Sequence, residues 1–241
     1  MTIRIETLQK IAAGDCRLVA SLPDMGRVGG IVSSYLALHL RAKPVAEFLS
    51  GDKPWVSYSD GVVKSVTDSY TLHYHERASL LIFSGASQPQ DATELYRLCN
   101  ALLDTVQSMG NVTRVYSAGG YLRENLTGAP RVCGAVNRKE LAVVLSESGI
   151  EPIGNEISTI TWFNGLILGL AADRGIDGIG LFGEISETSV PQPLAAKSII
   201  GAFSRIEKIP VDTKPLDAQY ESVLDEVLKK KEPPKHGPGS G

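Results

Sequence analysis

The segment Pro23-Asp24-Met25-Gly26-Arg27-Val28-Gly29-Gly30 has the residue types best suited to bind a ligand, and it joins a predicted strand to a predicted helix. Its three glycines within five positions let backbone N–H groups converge at a helix N-terminus, a geometry that binds anions. Glu47, 21 positions after Gly26, stands where a dinucleotide-binding fold places its ribose-binding carboxylate. The glycine spacing, however, is G-x-x-G-G and not G-x-G-x-x-G. Two interpretations stay open: a nucleotide or small-molecule site, and a tight turn with close helix–strand packing.

Other polar residues at predicted strand ends complete the set of candidates, because ligands of open α/β folds bind at the C-terminal ends of strands. The candidate ligand-binding or partner-binding residues are Asp24, Gly26, Arg27, Gly29, Gly30, Asn164 and Glu184. Asp24 and Glu184 could transfer protons, but carboxylates at such positions are commonly helix caps or turn residues. The motifs G-x-x-x-x-G-K-[ST], G-x-S-x-G and H-E-x-x-H are absent. We therefore expect no catalytic residue and no cofactor.

Histidines and cysteines are the remaining residues that could bind a metal ion. His73 and His75 lie two positions apart on a predicted strand and so share a face, which could bring two imidazoles to one metal. No acidic or cysteine partner is near them in sequence, so a solvated or interface-facing pair is favoured. Cys16, Cys99 and Cys133 lack C-x-x-C spacing and lie in apolar stretches, which predicts small buried side chains. We predict no metal site.

The elements that position these residues alternate between apolar runs and amphipathic patterns, which indicates an α/β protein with a largely buried sheet. Strands are predicted over 17–22, 45–48, 70–75, 80–84, 112–117, 132–136 and 178–182. Helices are predicted over 28–41, 91–109, 138–148, 161–174 and 191–203. The absence of a long linker or a fixed-period repeat favours one domain over 1–210, followed by a helix over 211–230 and a flexible tail over 231–241.

Composition limits the class of protein and its partners. The chain has 241 residues, of which 43% are hydrophobic and 21% charged, and these values are typical of a globular protein. Its formal net charge is −3, and its body shows no basic patch, so nucleic acid is not an expected partner. The most apolar segment, 165–172, is too short to cross a bilayer, and the N-terminus does not resemble a signal peptide. We expect no membrane partner and a cytoplasmic location.

The predicted C-terminal helix has an apolar stripe made of Leu216, Tyr220, Val223, Leu224 and Val227. Two interpretations of this stripe remain: a last helix packed on the body, and a contact with another subunit or a partner. We expect a homo-oligomer, with like faces meeting about a symmetry axis.

Several segments, in order, resemble the proteasome assembly chaperone 2 family, in particular its archaeal members. The similar segments are Leu22-Pro-Asp-Met-Gly-Arg-Val-Gly-Gly30, Ser84-Gly-Ala-Ser-Gln-Pro89, Val115-Tyr-Ser-Ala-Gly-Gly120, Thr161-Trp-Phe-Asn-Gly-Leu-Ile-Leu-Gly169, Gly180-Leu-Phe-Gly-Glu184 and Ala195-Ala196. The resemblance implies a three-layer α/β/α sandwich with a largely parallel or mixed central sheet, similar to nucleoside phosphorylases and related hydrolases. It also implies a protein that holds other proteins, proteasome subunits among them, and does not turn over a substrate.

One departure concerns the C-terminus. Members that drive assembly resemble one another in a C-terminal hydrophobic–Tyr–any-residue signal, whereas this sequence ends Lys235-His-Gly-Pro-Gly-Ser-Gly241. Docking through that signal is therefore not expected. The leading hypothesis is a non-enzymatic, assembly-chaperone-like protein that binds protein clients through its surface. The alternatives are a small-molecule or nucleotide-binding enzyme that uses the Gly26–Gly30 turn, and a structural oligomer without a client.

Overall fold

A nine-stranded mixed sheet lies at the centre of the structure, a computed structural model that describes residues 3–50, 55–124, 126–154 and 157–231. In chain order the strands are β1 (Arg4–Thr7), β2 (Gly14–Ala20), β3 (Lys43–Ser50), β4 (Val56–Ser59), β5 (Val62–Ser65), β6 (Asp68–His75), β7 (Leu80–Gly85), β8 (Gly110–Leu122), β9 (Val132–Val136), β10 (Glu151–Pro152) and β11 (Asp177–Ile185). Strands β4 and β5 form a separate hairpin, and the others follow the order β1-β3-β6-β7-β2-β8-β11-β9-β10.

The four central strands, β7, β2, β8 and β11, run parallel, and antiparallel strands flank them on both sides. Parallel strands that are covered on both faces have continuous apolar sequences, and Leu80, Leu81, Ile82 and Phe83 of β7 are all fully buried. Because parallel strands end at the same edge of a sheet, the segments that follow β2, β7, β8 and β11 lie at one end of the molecule. The candidate residues of the sequence are concentrated at this end.

Helices cover both faces of the sheet. They are α1 (Val28–His39), α2 (Ala92–Met109), α3 (Ala142–Glu147), α4 (Trp162–Asp173), α5 (Pro193–Glu207) and α6 (Pro215–Lys231). Leu98 of α2 and Leu170 of α4 are buried in the core on one face, whereas Leu36 of α1 and Ile199 of α5 are buried in the core on the other. The predicted three-layer α/β/α sandwich with a mixed sheet is confirmed.

A buried ion cluster attaches the end of α5 to the sheet. The Glu207 carboxylate lies 3.0 Å from Nε of Arg17 and 3.6 Å from Nη1 of Arg114. It also accepts a hydrogen bond from the hydroxyl of Tyr116. Only 9% of the Glu207 side chain is exposed, and a carboxylate so buried needs the opposite charge that the two guanidinium groups supply.

The predicted elements are all present, but several strands are longer than expected, and four strands, β1, β4, β5 and β10, were not predicted. The strand predicted over 112–117 extends as β8 from Gly110 to Leu122, because Gly119 and Gly120 continue its pairing with β11. Strand β1 was missed because all four of its side chains are exposed, so it has no apolar run. The hairpin turn at Asp60-Gly61 has φ values of 51° and 80°, and Asp-Gly between apolar residues is a strong hairpin signal. The two-residue strand β10 is too short to have a sequence pattern.

Histidines and cysteines were the candidate metal ligands of the sequence. Both histidines lie on β6, and Nδ1 of His75 accepts a hydrogen bond from the N–H of Ala78 at 3.3 Å. Within the described ranges, no group of three or more His, Cys, Asp or Glu side chains could hold a metal ion. Cys16, Cys99 and Cys133 are buried, as predicted, and burial raises the pKa of the Cys99 thiol to about 12. No helix among the described residues has both the length and the apolar character needed to cross a membrane.

Candidate functional site

The glycine turn after β2 is held against the loop between β11 and α5. The N–H of Gly26 donates to the carbonyl oxygen of Thr188 at 2.9 Å, and the N–H of Gln192 donates to the carbonyl oxygen of Gly26 at 2.8 Å. Gly26 has a φ of 63°, and a Cβ at this position would lie 2.5 Å from Cγ of Gln192. Both the backbone angle and the contact therefore favour glycine here. Arg27 follows with a φ of 55° and an exposed side chain.

The Asp24 carboxylate occupies the N-terminus of α1. Its Oδ1 accepts the N–H of Gly29 at 2.9 Å, and its Oδ2 accepts the N–H of Gly120 at 2.6 Å. Burial raises the pKa of Asp24 to about 6, although the hydrogen bonds from these two N–H groups lower it. An anion bound at a helix N-terminus uses such N–H groups, and here the chain supplies the anion itself. The turn therefore does not present an open anion site at Gly29.

Gly29 and Gly30 allow α1 to pack directly on its neighbours. A Cβ at Gly29 would lie 2.6 Å from the carbonyl oxygens of both Leu22 and Ala118, and a Cβ at Gly30 would lie 2.6 Å from Cγ of Pro23. Real Cβ atoms do not approach other atoms this closely. Of the two interpretations of the glycine spacing, these contacts support the tight turn with close helix–strand packing.

Asn164 and Gln88 connect the end of β2 to α4. Asn164 accepts the N–H of Leu22 through Oδ1 at 3.0 Å and donates to the Leu22 carbonyl oxygen through Nδ2 at 3.1 Å. Gln88 donates to the Pro23 carbonyl oxygen at 2.7 Å and accepts the N–H of Phe163 at 3.0 Å. Both amide side chains thus satisfy main-chain groups where β2 leaves the sheet.

Two serines that the sequence analysis did not single out take part in the same network. The hydroxyl oxygen of Ser21 accepts the N–H of Ala118 at 2.7 Å. The hydroxyl of Ser33 on α1 donates to the Ser21 carbonyl oxygen at 2.8 Å. Both residues are fully buried. A serine directly after an apolar strand gives no sequence signal that separates this role from an ordinary turn.

Glu184 belongs to a different cluster, at the end of β11. Its side chain is buried and pairs with Arg123 at 2.8 Å and with Arg131 at 3.0 Å. Burial raises the pKa of this carboxyl, but the hydrogen bonds and charge of Arg131, with the charge of Arg123, outweigh it and hold the pKa below its ordinary value. A carboxylate with two cationic partners is held ionised, so Glu184 is a poor proton donor.

Cavities near these residues do not bring the candidate groups together. A cavity of about 440 Å³ beside the turn is lined by residues that include Pro23, Arg27 and Gly30. A second, of about 740 Å³, lies beside β9 and α5. Neither cavity is lined by Asp24, Asn164 or Glu184. Neither of these two cavities therefore has a carboxylate of the candidate set in its lining.

The hairpin β4–β5 presents an apolar face to solvent, which the sequence analysis did not anticipate. Tyr58 pairs with Val63, and Val56 pairs with Ser65, so these four side chains share one face. Val56, Tyr58 and Val63 are all exposed, and we call these three residues the hairpin apolar face. A two-stranded hairpin is marginally stable unless a face is covered, so this face is suited to contact another protein.

Helix α6 is partly packed on the body and partly exposed. Leu216 is fully buried in the core that α1 and α5 share, so it has no free surface for a contact between subunits. Tyr220, Val223 and Val227 are half-buried, and Leu224 is exposed. The packed-helix interpretation fits the beginning of α6, and the second half retains apolar surface.

The fold is a three-layer α/β/α sandwich. The polar side chains near the end of β2 form hydrogen bonds to main-chain groups of the protein itself. The model of the PAC2 family matches residues 18–231, and the chain belongs to that family. A curated relative, the uncharacterized protein MJ1210 of Methanocaldococcus jannaschii, is 26% identical over 218 residues, which cover 88% of this chain and 83% of the relative.

Solved structures are similar over nearly the whole chain. PbaB of Pyrococcus furiosus, described as an archaeal proteasome activator, is 26% identical with a TM-score of 0.84, and the match covers 96% of this chain and 99% of PbaB. PbaA of the same organism, described as an archaeal homolog of proteasome-assembly chaperone, is 17% identical with a TM-score of 0.74. The match covers 94% of this chain and 96% of PbaA, and at this identity it shows the shared fold alone.

Proposed function

We propose that this protein is a non-enzymatic, proteasome-assembly-chaperone-like protein that binds protein clients, with proteasome subunits as the expected clients. The observation that carries the proposal is the similarity to PbaB, at 26% identity and a TM-score of 0.84 over 96% of the chain. PbaB is described as an archaeal proteasome activator. Because this chain shares the fold of PbaB over nearly its whole length, we expect it to bind proteasome particles or their subunits. We also propose a cytoplasmic location, as the sequence analysis expected.

The geometry of the turn favours protein binding over the alternative enzyme. The carboxylate of Asp24 takes up the N–H groups of Gly29 and Gly120, and Asn164 is committed to the main chain of Leu22. A nucleotide would have to displace these bonds. The alternative predicts thermal stabilisation by nucleosides, nucleotides or dinucleotides, since a ligand at one hundred times its Kd adds about 2.7 kcal/mol.

The hairpin apolar face is the surface that we assign to the client. Adjacent exposed aromatic and aliphatic side chains on one face are typical of protein interfaces. Val63 on the apolar face and Val62 on the opposite face are adjacent and similarly exposed, at 63% and 54%. Substitutions at Val63 and Val62 can therefore be compared directly, because the two residues have the same type and similar exposure and differ in the face on which they lie.

The test is binding of the full chain to proteasome particles purified from its source organism, with captured subunits identified by mass spectrometry. Val63→Ser is expected to weaken binding about tenfold, because it removes apolar area from the contact. Val62→Ser is expected to change binding less than twofold. Failure of the wild-type chain to bind proteasome particles or their subunits would overturn the proposed function. Equal losses in the two variants would instead exclude the hairpin apolar face as the client surface.

We further propose that the protein is a homo-oligomer. The exposed side chains of Leu224 and Leu228 on α6 support this proposal, because they continue the apolar stripe beyond the packed part of the helix. Multi-angle light scattering of the full chain measures the mass directly, and a monomeric mass at micromolar concentration would contradict it.

A further inference from the structure

A cleft of about 640 Å³ lies at the end of the sheet opposite the glycine turn. Three segments that are distant in sequence line it: residues 9–12 after β1, residues 40–45 from the end of α1 to the start of β3, and residues 74–77 at the end of β6. The N–H groups of Leu8 and Gln9 both donate to the carbonyl oxygen of Val45, which fixes the first segment beside the second. The cleft is therefore formed only in the folded chain.

Positive charge dominates this cleft. Its charged side chains are those of Lys10, Arg41, Lys43 and Arg77, which are cationic, and of Glu76, which is anionic. All five are exposed. Within the part of the chain that the structure describes, none of the four cations forms an ion pair or a side-chain hydrogen bond. We call Lys10, Arg41, Lys43 and Arg77 the cleft cations.

Among the described residues, the cleft cations line one cavity without ion-pair partners, in contrast to Arg114 and Arg131. Arg114 pairs with Glu207, and Arg131 pairs with Glu184. The chain as a whole carries a formal charge of −3, so the cluster does not follow from an excess of basic residues. Arg41 lies just after α1, where a cation offsets the negative end of the helix dipole. That effect accounts for Arg41 alone, because the other three cations lie outside the end of α1.

We propose that this cleft binds an acidic, extended segment of a partner protein. Four like charges repel one another at close range, and carboxylates of a ligand would convert this repulsion into attraction. His75 also lines the cleft, and because its Nδ1 accepts the N–H of Ala78, Nε2 is left as the ring nitrogen that carries a proton and can donate. The proposal goes beyond the proposed function, because it does not depend on which protein supplies the segment.

Two observations favour a protein segment over nucleic acid. Strand β1, which leads directly into the cleft, is the edge strand of the sheet and pairs only with β3 among the described strands. Its free edge offers N–H and C=O groups at the spacing that an added peptide strand matches. A nucleic acid would continue beyond a 640 Å³ cleft onto a chain of net charge −3, which repels its closely spaced phosphates.

Fluorescence anisotropy with a labelled octaglutamate peptide tests the proposal on the full chain. The cleft variant is Lys43→Glu/Arg77→Glu, and the control is Lys64→Glu/Lys139→Glu, which changes the net charge equally at exposed sites outside the cleft. The cleft variant is expected to bind the peptide about tenfold more weakly, and the control less than twofold. Raising the salt from about 0.05 M to about 0.3 M should weaken wild-type binding, since the contacts are exposed charges.

Each other outcome counts against the proposal. Wild-type binding of octaglutamate no stronger than that of octaglutamine would overturn it, and so would equal losses in the cleft and control variants. Tighter binding of a single-stranded oligonucleotide that is lost in the cleft variant would assign the cleft to nucleic acid. Circular dichroism of both variants confirms that the fold is retained. The peptide assay contains no proteasome particle, so a negative result in it would overturn the acidic-segment proposal without contradicting the proposed function.

Discussion

Replacing Asp24 with asparagine tests whether the glycine turn is a structural device, because the change keeps the shape of the side chain and removes one acceptor. Both carboxylate oxygens accept main-chain N–H groups, from Gly29 at 2.9 Å and from Gly120 at 2.6 Å. The amide oxygen of asparagine can serve one of them, and its NH2 group then faces the other donor. A buried donor without a partner costs about 1–3 kcal/mol. We expect the free energy of unfolding to fall by about that amount near pH 4, where both side chains are neutral, and by less at pH 7, where the amide also removes a buried charge.

The loss should depend on pH in a defined direction. Burial raises the pKa of Asp24 from 3.8 to about 6 in the folded chain, so the folded state holds this proton more tightly than the unfolded state. The carboxyl therefore contributes its full stability below about pH 4 and loses it as the pH rises through about 6. A shift of about two units corresponds to about 3 kcal/mol. Asparagine does not titrate, so the difference between wild type and variant should widen by about 2 kcal/mol between pH 7 and pH 4.

Urea denaturation followed by circular dichroism, at several pH values from about 4 to 7, measures this difference. Asp91→Asn is the matched control, because Asp91 is an exposed cap of α2 whose Oδ1 accepts the N–H of Glu94 at 2.9 Å. The control should change the free energy of unfolding by less than about 1 kcal/mol. A constant difference across the pH range for Asp24→Asn would refute the buried-carboxyl argument. Unchanged stability together with loss of a bound nucleotide would show that the turn is a ligand site.

Two further substitutions test the packing and the ion cluster. Gly29→Ala should lower the free energy of unfolding by about 1–3 kcal/mol, because its Cβ would lie 2.6 Å from two carbonyl oxygens. The control is Gly169→Ala, at an exposed position of α4 with open space around it, which should raise the free energy of unfolding by about 0.5–1 kcal/mol. Thermal denaturation measures both variants, and a change of the same sign in the two would contradict the packing role of Gly29. Glu207→Gln should cost about 2–3 kcal/mol, because Arg17 and Arg114 lose their partially buried counter-charge. Urea denaturation at pH 7 measures this cost, and a loss below about 0.5 kcal/mol would show that the cluster adds no stability.

The layers of the fold could be predicted from the sequence because their signals are local. The apolar residues of α2 recur at helical spacing, Asp91 caps the helix through the N–H of Glu94, and Gly110 follows its last residue. The central strands are continuous apolar runs, as parallel strands covered on both faces must be. The hairpin was predictable in the same way, from Asp60-Gly61 between alternating apolar residues, although the sequence analysis did not use that signal.

The roles of the candidate residues could not be predicted, because they depend on contacts between distant segments. Asp24 meets Gly120 across 96 positions, and Asn164 meets Leu22 across 142. In sequence, each of these polar residues at a strand end or helix start fits a ligand site as well as a structural one. The cleft cations show the same limit: the sequence shows no basic patch, whereas folding brings together residues from three separate segments.

The two proposed binding surfaces are joined to opposite ends of one strand, so their contributions should be independent. The hairpin leads into β6 near Asp68, and the cleft is lined by Tyr74 and His75 at the other end of this strand. Its eight residues span about 26 Å at the usual rise of a strand, and substitutions farther apart than about 7–10 Å usually have additive effects. Val63→Ser must therefore leave the affinity for octaglutamate unchanged. A client that uses both surfaces must lose affinity by the product of the two separate losses when Val63→Ser is combined with Lys43→Glu/Arg77→Glu. A smaller combined loss would mean that the two surfaces do not act independently on one client.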